Sequence, residues 1–262
     1  MMYEKDLLAV SDSAAAKAAL FRNGRSRYFL ASVLAGIYIG FGVLVMSVTG
    51  GALMGQPIAR LANAFVFPAA LSLVTFAGSE LFTGNTFVMT AGAAQKRISE
   101  KELAGVWIFS YLGNFLGSIL CAAVFSATGL LSGGTLEFIL DTASMKMNLS
   151  VSALLSRGIL CNILVCLAVW CCIRMKSESG KLIMIFWCIF TFVICGFEHS
   201  IANMTLLSLS LFAPHAADIS AAGMAYNLFF VTLGNMIGGA AVVGLSYLWI
   251  AGMPKFDIDE QG

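Results

Sequence analysis

Six long apolar runs constrain this chain more than any other feature of its sequence. An α-helix needs about 20 predominantly apolar residues to cross a bilayer. Charged residues make up only 11% of the chain, against about 25% in soluble domains. The sequence therefore predicts an all-α integral membrane protein with six transmembrane helices surrounded by the lipid bilayer. The predicted spans are residues 28–48, 61–94, 103–130, 151–173, 182–212 and 221–250.

The basic residues are distributed unequally between the two sides of these spans. If the N-terminus is cytoplasmic, twelve of the 15 Lys and Arg residues face the cytoplasm. The other three, Arg60, Lys146 and Arg157, face outward. An excess of basic residues in cytoplasmic loops is the usual determinant of orientation, so both termini are expected inside. Residues 1–27 are Ala-rich and amphipathic, which predicts a helix at the cytoplasmic surface, and residues 251–262, with Lys255, form a cytoplasmic tail.

The second, fifth and sixth runs are longer than a membrane requires, and the second and fifth are each interrupted by a charge. Glu80 lies in residues 78–86 (GSELFTGNT), and Glu198 lies in residues 196–205 (GFEHSIANMT), 118 positions later. A charge inside a membrane helix is costly, so its default interpretation is functional. Overlong segments with a polar break are typical of discontinuous transporter helices. The backbone freedom is expected from three glycines, Gly78, Gly84 and Gly196.

A second pair of similar motifs indicates an internal repeat. Residues 112–117 (LGNFLG) match residues 233–238 (LGNMIG), 121 positions later. Each half then holds three spans, and an odd number places the second half upside down in the membrane. This predicts an inverted three-plus-three repeat in which the two breaks meet near the midplane. The motif residues Asn114 and Asn235 need hydrogen-bond partners there, because an unpaired amide in hydrocarbon is costly.

The breaks favour an anion or a weak acid as the species that passes. The first turn of each half-helix after a break presents free N–H groups and the positive end of a helix dipole. The half-helices before the breaks point carbonyl groups at the same place, and the two glutamates either cap helix ends or are protonated. The sign of the local field therefore stays open. Lys146 is the attracting cation on the outer side, and the neighbouring polar side chains are Thr83, Asn85, His199, Ser200 and Asn203.

Several other classes of function receive no support. The seven cysteines form no Cys-x-x-Cys pair and only two histidines are present, so no metal site or cofactor is expected. A net charge of +1 without a basic stripe predicts no nucleic-acid partner. An intramembrane enzyme using Glu198 and His199 is a rival, but adjacent helical residues point about 100° apart, and no catalytic residue is assigned. An inert structural role would leave the buried charges unexplained.

Four segments resemble the formate/nitrite transporter family, in the order in which that family has them. The resemblance covers essentially the whole chain and implies a homopentamer in a bacterial inner (plasma) membrane. Each protomer would have an aquaporin-like fold with broken second and fifth helices, residues 28–250 forming the six-span channel domain. The Asn-Pro-Ala motif of aquaporins themselves is absent. The matching segments are residues 78–86, 161–170 (CNILVCLAVW), 198–205 and 231–239 (VTLGNMIGG).

The resemblance also implies roles for individual residues. His199 would be the central histidine of a polar chamber, held by Asn162 and Asn235 and faced by Thr83. Lys146, Glu198 and Asn203 would lie beside the chamber. Two apolar constrictions would flank it. The cytoplasmic constriction would consist of Leu71, Leu81 and Phe82, and the outer one of Phe67, Val165 and Phe192.

The predicted substrate is a small monovalent anion. Within the family the chain is similar to the hydrosulfide channel of anaerobic clostridia, which makes hydrosulfide the first expectation. The string at residues 198–205 also resembles the nitrite channels, so nitrite and formate are the alternatives. His199 has two possible roles, since it either relays a proton to the permeating anion or stays neutral and holds the chamber open.

Overall fold

The computed structural model describes residues 3–252, and all regular structure in that range is helical. The predicted C-terminal tail therefore lies, from residue 253 onward and including Lys255, outside the described residues. The helices are α1 (Glu4–Asn23), α2 (Arg25–Ala52), α3 (Ala59–Val66), α4 (Ala69–Phe76), α5 (Phe82–Ala94), α6 (Glu100–Ala127), α7 (Gly133–Met147), α8 (Val151–Arg174), α9 (Glu178–Cys195), α10 (Ser200–Phe212), α11 (Ala221–Met236) and α12 (Ser246–Ile250), with a π-helical segment (Ile237–Leu245) between the last two.

Six helical segments in the described part of the chain are long and apolar enough to cross a membrane. They are α2, the pair α3–α4, α6, α8, α9, and the continuous segment from α11 to α12. The second and fifth are completed by the shorter helices α5 and α10, which follow after an interruption. This confirms the predicted six-span, all-α architecture with broken second and fifth helices.

Each break begins at a glycine with a left-handed backbone. Gly78 has φ of 78° and Gly196 has φ of 73°. Residues other than glycine rarely adopt this left-handed region. Gly196 follows the last residue of α9, where such a glycine commonly ends a helix. The expectation for Gly84 is wrong, because it lies inside α5 and does not have a positive φ.

The two halves repeat the same packing. The most extensive helix pair in the first half is α2 with α6, and its counterpart in the second half is α8 with α11. A Cβ on Gly117 would collide with the carbonyl oxygen of Val33, and one on Gly238 would collide with the carbonyl oxygen of Ile159. Glycine thus allows close helix contact in both halves. These equivalent contacts agree with the inverted repeat.

Helix α1 lies against the bundle rather than apart from it. Leu7, Val10 and Ala14 are buried at helical spacing, and α1 packs on α5. The hydroxyl of Ser11 donates to Oε1 of Gln95 at 2.5 Å. The helix expected within residues 1–27 is present, while its cytoplasmic position stays a prediction.

Helix α7 was not anticipated from the sequence, which placed Lys146 in an outer connecting segment. It packs on α2 and buries Ile139, Ala143 and Met147. That spacing of four residues is a helical pattern, so it was the available signal. The helix matters for the site because Lys146 is in its last turn.

Candidate functional site

The first break is fastened by one asparagine of α6. Oδ1 of Asn114 accepts the N–H of Phe82 at 2.9 Å. Its Nδ2 donates to the carbonyl oxygens of Glu80 at 2.9 Å and Ser32 at 2.7 Å. The side chain therefore pairs backbone groups on both sides of Leu81, which irregular backbone at membrane depth requires.

The second break is fastened in the same way by Asn235 of α11. Its Oδ1 accepts the N–H of Ser200 at 2.9 Å. Its Nδ2 donates to the carbonyl oxygens of Glu198 at 3.0 Å and Gly158 at 2.8 Å. The two asparagines therefore act as equivalent clamps, each holding the backbone on both sides of a break. Both amides have the hydrogen-bond partners that were expected from their position in apolar runs.

Glu80 is paired rather than isolated. Both of its carboxylate oxygens accept from Nζ of Lys17 on α1 at 2.8 Å. Oε2 also accepts from the hydroxyl of Tyr28 at 2.9 Å and from Nδ2 of Asn85 at 3.2 Å. These are the partners of an ionised carboxylate, so Glu80 neither caps a helix nor needs to be protonated.

Glu198 has the corresponding environment and is more deeply buried, at 1% exposure. Both oxygens accept from Nζ of Lys146 at 2.8 Å, and Oε2 accepts from Nδ2 of Asn203 at 2.7 Å. Nδ2 of Asn203 also contacts Oδ1 of Asn227 at 2.8 Å, and Asn227 donates to the carbonyl oxygen of Lys146. The expected neighbours Lys146, Glu198 and Asn203 thus meet. Sequence reasoning missed Asn227, whose only signal is an amide in an apolar run.

His199 joins the two breaks. Its Nε2 is 3.1 Å from Oγ1 of Thr83, as the resemblance implied, and its Nδ1 accepts the N–H of Ala202 at 3.1 Å. Because Nδ1 accepts, this geometry assigns a neutral imidazole with its proton on Nε2. Oγ1 of Thr83 then accepts a hydrogen bond from Nε2–H, which leaves the hydroxyl hydrogen of Thr83 free to donate to a third group.

The expectation that Asn162 and Asn235 hold the imidazole directly is corrected by these contacts. The hydrogen bonds of the His199 imidazole within residues 3–252 go to Thr83 and Ala202. Asn235 holds the backbone on either side of His199, as described above. Nδ2 of Asn162 donates to the carbonyl oxygens of Thr83 at 3.2 Å and Asn235 at 2.6 Å. The two amides therefore position the Thr83–His199 pair through the main chain.

Two polar atoms near this pair have no partner. Oδ1 of Asn162 and Oγ of Ser200 make no hydrogen bond with the described residues, and both side chains are fully buried. Burying an unpaired polar atom is costly. The centre of the protein thus has hydrogen-bonding capacity that the described residues leave unused.

Two cavities approach this centre from opposite ends of the bundle. The first, called here the α7-side cavity, has a volume of about 530 Å³ and touches the beginnings of α3 and α8 and the end of α9. The second, the α1-side cavity, has a volume of about 740 Å³ and touches the ends of α4 and α8 and the beginning of α9. The α7-side cavity is lined by Arg60, Lys146, Arg157, Phe67, Phe192 and His199, among others. The α1-side cavity is lined by Lys17, Glu80, Leu71, Leu81, Glu178 and Lys181, among others.

The partition between the cavities is thin and apolar. Phe67 lines the α7-side cavity and Leu71 lines the α1-side cavity. These two residues are four positions apart, which corresponds to about 6 Å along a helix. The ring of Phe67 packs edge-on against Phe192 with centroids 5.8 Å apart. Phe82 and Val165 are buried in the same apolar cluster but line neither cavity. Their role as constrictions stays a prediction.

The charges of the two cavities differ. All three basic residues predicted to face outward line the α7-side cavity, with Glu198 as its single carboxylate. In the α1-side cavity both cations are paired with glutamates. An excess of positive charge in a cleft raises the local concentration of anions, so the α7-side cavity favours an anion.

The chain is similar to known membrane transporters along nearly its whole length. The family model described as formate/nitrite transporter matches residues 4–249. The nitrite transporter NirC of Escherichia coli (strain K12) is 37% identical over 252 residues, covering 95% of this chain and 92% of that protein. A solved structure of an FNT family ion channel has a TM-score of 0.89 at 35% identity and covers 94% of this chain and 98% of its own. A pentameric formate channel with formate bound has a TM-score of 0.80 at 32% identity, with coverages of 87% and 97%.

Proposed function

The chain belongs to the formate/nitrite transporter family, and on that premise we propose that it conducts small monovalent anions, nitrite first and formate second. It is a multi-pass membrane protein, and its relatives are named transporters and channels, not enzymes. Similarity to a nitrite transporter over 92% of that protein supports nitrite. Similarity to a channel with bound formate supports formate.

Hydrosulfide, the first expectation from the sequence, has narrower support. It depends on the sequence resemblance alone, since the two solute names among the proteins described above are nitrite and formate. We keep hydrosulfide as the third anion to be tested.

The observation that carries the proposal is that His199 lines the α7-side cavity, while Leu81 and Gly84, on either side of Thr83 in the chain, line the α1-side cavity. An anion is drawn into the α7-side cavity by its basic residues. A bare ion in the apolar partition costs many kcal/mol, so the species that crosses is the neutral acid. It forms when the anion takes a proton from hydronium in the water of the α7-side cavity, and it returns that proton to water in the α1-side cavity. The free hydroxyl hydrogen of Thr83, oriented by Nε2–H of His199, donates to an oxygen of the passing molecule.

The assembly and location complete the proposal. A pentamer is supported by the similarity to the pentameric formate channel, which extends over 87% of this chain. Both cavities and the central pair come from one chain, so each protomer carries its own pathway. Cytoplasmic termini in a bacterial plasma membrane are supported by the distribution of the basic residues.

Uptake into proteoliposomes tests the proposal. Nitrite, formate and hydrosulfide are compared with the neutral solute glycerol, and protein-free liposomes set the background. We expect nitrite and formate uptake well above that background and no acceleration of glycerol. Thr83→Val should lower the flux about tenfold, the equivalent of one lost hydrogen bond. Thr90→Val is the matched control, because within residues 3–252 that hydroxyl bonds only the carbonyl of Thr86. Anion uptake at the background rate, or equal effects of the two variants, would overturn the proposal.

A further inference from the structure

We propose that the α7-side cavity holds a binding site for a planar two-oxygen anion, a carboxylate or nitrite, formed by Arg60, Asn63 and Arg157. This rests on the proposed function and adds to it a selective entry site, separate from the Thr83–His199 pair. None of the three residues was assigned a substrate-binding role from the sequence.

Asn63 is the first observation. It lies on α3, lines the α7-side cavity and is only 7% exposed. Its buried Oδ1 has no partner, and no hydrogen bond of its Nδ2 is found within residues 3–252. A buried carboxamide normally satisfies its donors and acceptor. Since nothing fixes this amide, its N–H₂ end is available to a ligand in the cavity.

Two guanidinium groups without carboxylate partners lie around the same cavity. Arg60 precedes Asn63 by three positions and so shares its helix face. Its Nη2 would be 3.4 Å from a Cβ on Gly196, which places it over the second break. The carbonyl of Arg157 accepts the N–H of Glu198 at 3.3 Å, so α8 brings that residue to the same break. Neither arginine forms a salt bridge with a residue of the described range.

Lys146 differs from these arginines because its charge is already used. Its Nζ is 2.8 Å from both carboxylate oxygens of Glu198. The positive charge left for a ligand in the α7-side cavity therefore belongs to Arg60 and Arg157.

The chemistry of these side chains selects the shape of the anion. A guanidinium offers parallel N–H donors that match two oxygens of one planar group. A monatomic ion such as chloride has one acceptor centre, so two parallel N–H donors must bend to converge on it. A purely structural role makes a different demand. Arg60 beside the C-terminal end of α9 would stabilise the helix dipole, and Arg157 would only extend its charge to water. Those roles require positive charge but not two parallel N–H donors, so lysine can replace arginine in them.

Cys195 provides a reporter for the site. It is exposed and lines the α7-side cavity. The purified protein is alkylated with neutral iodoacetamide, and modification of Cys195 is read by peptide mass spectrometry at increasing formate or nitrite. Chloride keeps the ionic strength constant. We expect formate and nitrite, but not chloride, to slow the alkylation. The half-protecting concentration is the anion concentration that halves the rate of Cys195 alkylation. Arg157→Lys and Asn63→Ala should each raise it about tenfold. Lys176→Gln, an exposed cation at the other end of the bundle, should leave it unchanged.

The result that overturns the site is equal protection by chloride and formate, no protection at all, or an unchanged half-protecting concentration in Arg157→Lys and Asn63→Ala. This readout needs no transport, so it separates the two proposals. Protection of Cys195 in a protein that does not conduct anions would overturn the proposed function and leave the site. Conduction without protection would overturn the site alone.

Discussion

At the scale of single residues, the hydrogen bonds of His199 choose between the two roles that the sequence left open. A proton relay needs an imidazole that gains and loses a proton during transport. In the structure Nδ1 accepts from the backbone of Ala202 and Nε2 bonds Thr83. Protonating Nδ1 would break the N-cap of α10, so the contacts support a fixed, neutral donor.

This interpretation predicts the behaviour of His199→Asn. Asparagine is a good N-cap residue and keeps one N–H donor, so anion uptake should persist, with a pH profile of unchanged shape between about pH 5 and 8. His199→Phe removes both hydrogen bonds and should abolish uptake. Uptake by both variants is followed across that pH range in proteoliposomes. A flat pH profile in His199→Asn with normal assembly would instead establish the relay.

The two lysine–glutamate pairs predict different losses of stability. Glu198 and Lys146 have side-chain exposures of 1% and 14%, whereas Glu80 and Lys17 have 12% and 21%. Removing one partner of a buried pair strands a charge at a cost of about 3–5 kcal/mol, and this cost falls as water reaches the pair, as it does more readily at Lys17 and Glu80. Lys146→Met should therefore lower the Tm in detergent by more than Lys17→Met. The double variant Lys146→Met/Glu198→Gln should recover most of the loss. Equal shifts for the two single variants would contradict this account.

The sequence identified the site residues better than it identified their partners. Glu80, Glu198 and His199 are conspicuous because each is costly in an apolar run. The partner of each is distant in the chain. Thr83 and His199 are 116 positions apart, and Lys17 and Glu80 are 63 apart. Such pairing depends on how the helices pack, which residue type and spacing do not determine. For this reason the contact of His199 with Asn162 was predicted incorrectly.

At the scale of helices, the break glycines are required by backbone conformation rather than by space. A Cβ on Gly78 would have no neighbour within 4 Å, and one on Gly196 would only contact Arg60 at 3.4 Å. Both have positive φ, which costs other residues about 1–2 kcal/mol. Gly78→Ala and Gly196→Ala should each lower the Tm, and Gly196→Asn should lower it less, because asparagine tolerates that region.

Gly84→Ala is the matched control for these variants. Gly84 is helical, and its Cβ would be 3.4 Å from Cγ2 of Val169, so its Tm should be nearly unchanged. Thermal unfolding of the four variants in one detergent provides the comparison. A loss at Gly84 as large as at Gly196 would show that packing, not backbone conformation, decides.

The spans were predictable because membrane helices are recognised by length and composition, whereas α7 was not. Its 15 residues include three charged side chains, Glu137, Asp141 and Lys146, so hydropathy alone reads it as a loop. Only the spacing of Ile139, Ala143 and Met147 indicated a helix. The same limit applies to the ends of α9 and α10. Apolar composition continues across their break, while Gly196 and the clamped backbone groups of Glu198 and Ser200 decide where α9 stops and α10 begins.

At the scale of the whole molecule, the two halves share a backbone arrangement, but the cavities at their two ends differ in charge. Asn114 and Asn235 clamp equivalent breaks, and each glutamate accepts from a lysine and from an asparagine five positions on. The cavities nevertheless differ, because the α7 side adds Arg60 and Arg157 to its paired lysine. The inverted repeat therefore accounts for the shared backbone arrangement, while residues that differ between the halves, Arg60 and Arg157, distinguish its two ends.

The proposed pentamer should have one pathway inside each protomer rather than one between the five. The particle in detergent should have five times the protomer mass of 27.8 kDa, as measured by native mass spectrometry. The two cavities and the Thr83–His199 pair are built within one chain, so each protomer should conduct independently of its neighbours. When wild-type and Thr83→Val protomers are co-assembled at known ratios, flux should fall in proportion to the variant fraction. A pore shared at the centre of five subunits would lose flux much more steeply, because one variant subunit would disturb the whole pathway. A steep loss, or a conducting particle with another mass, would refute this arrangement.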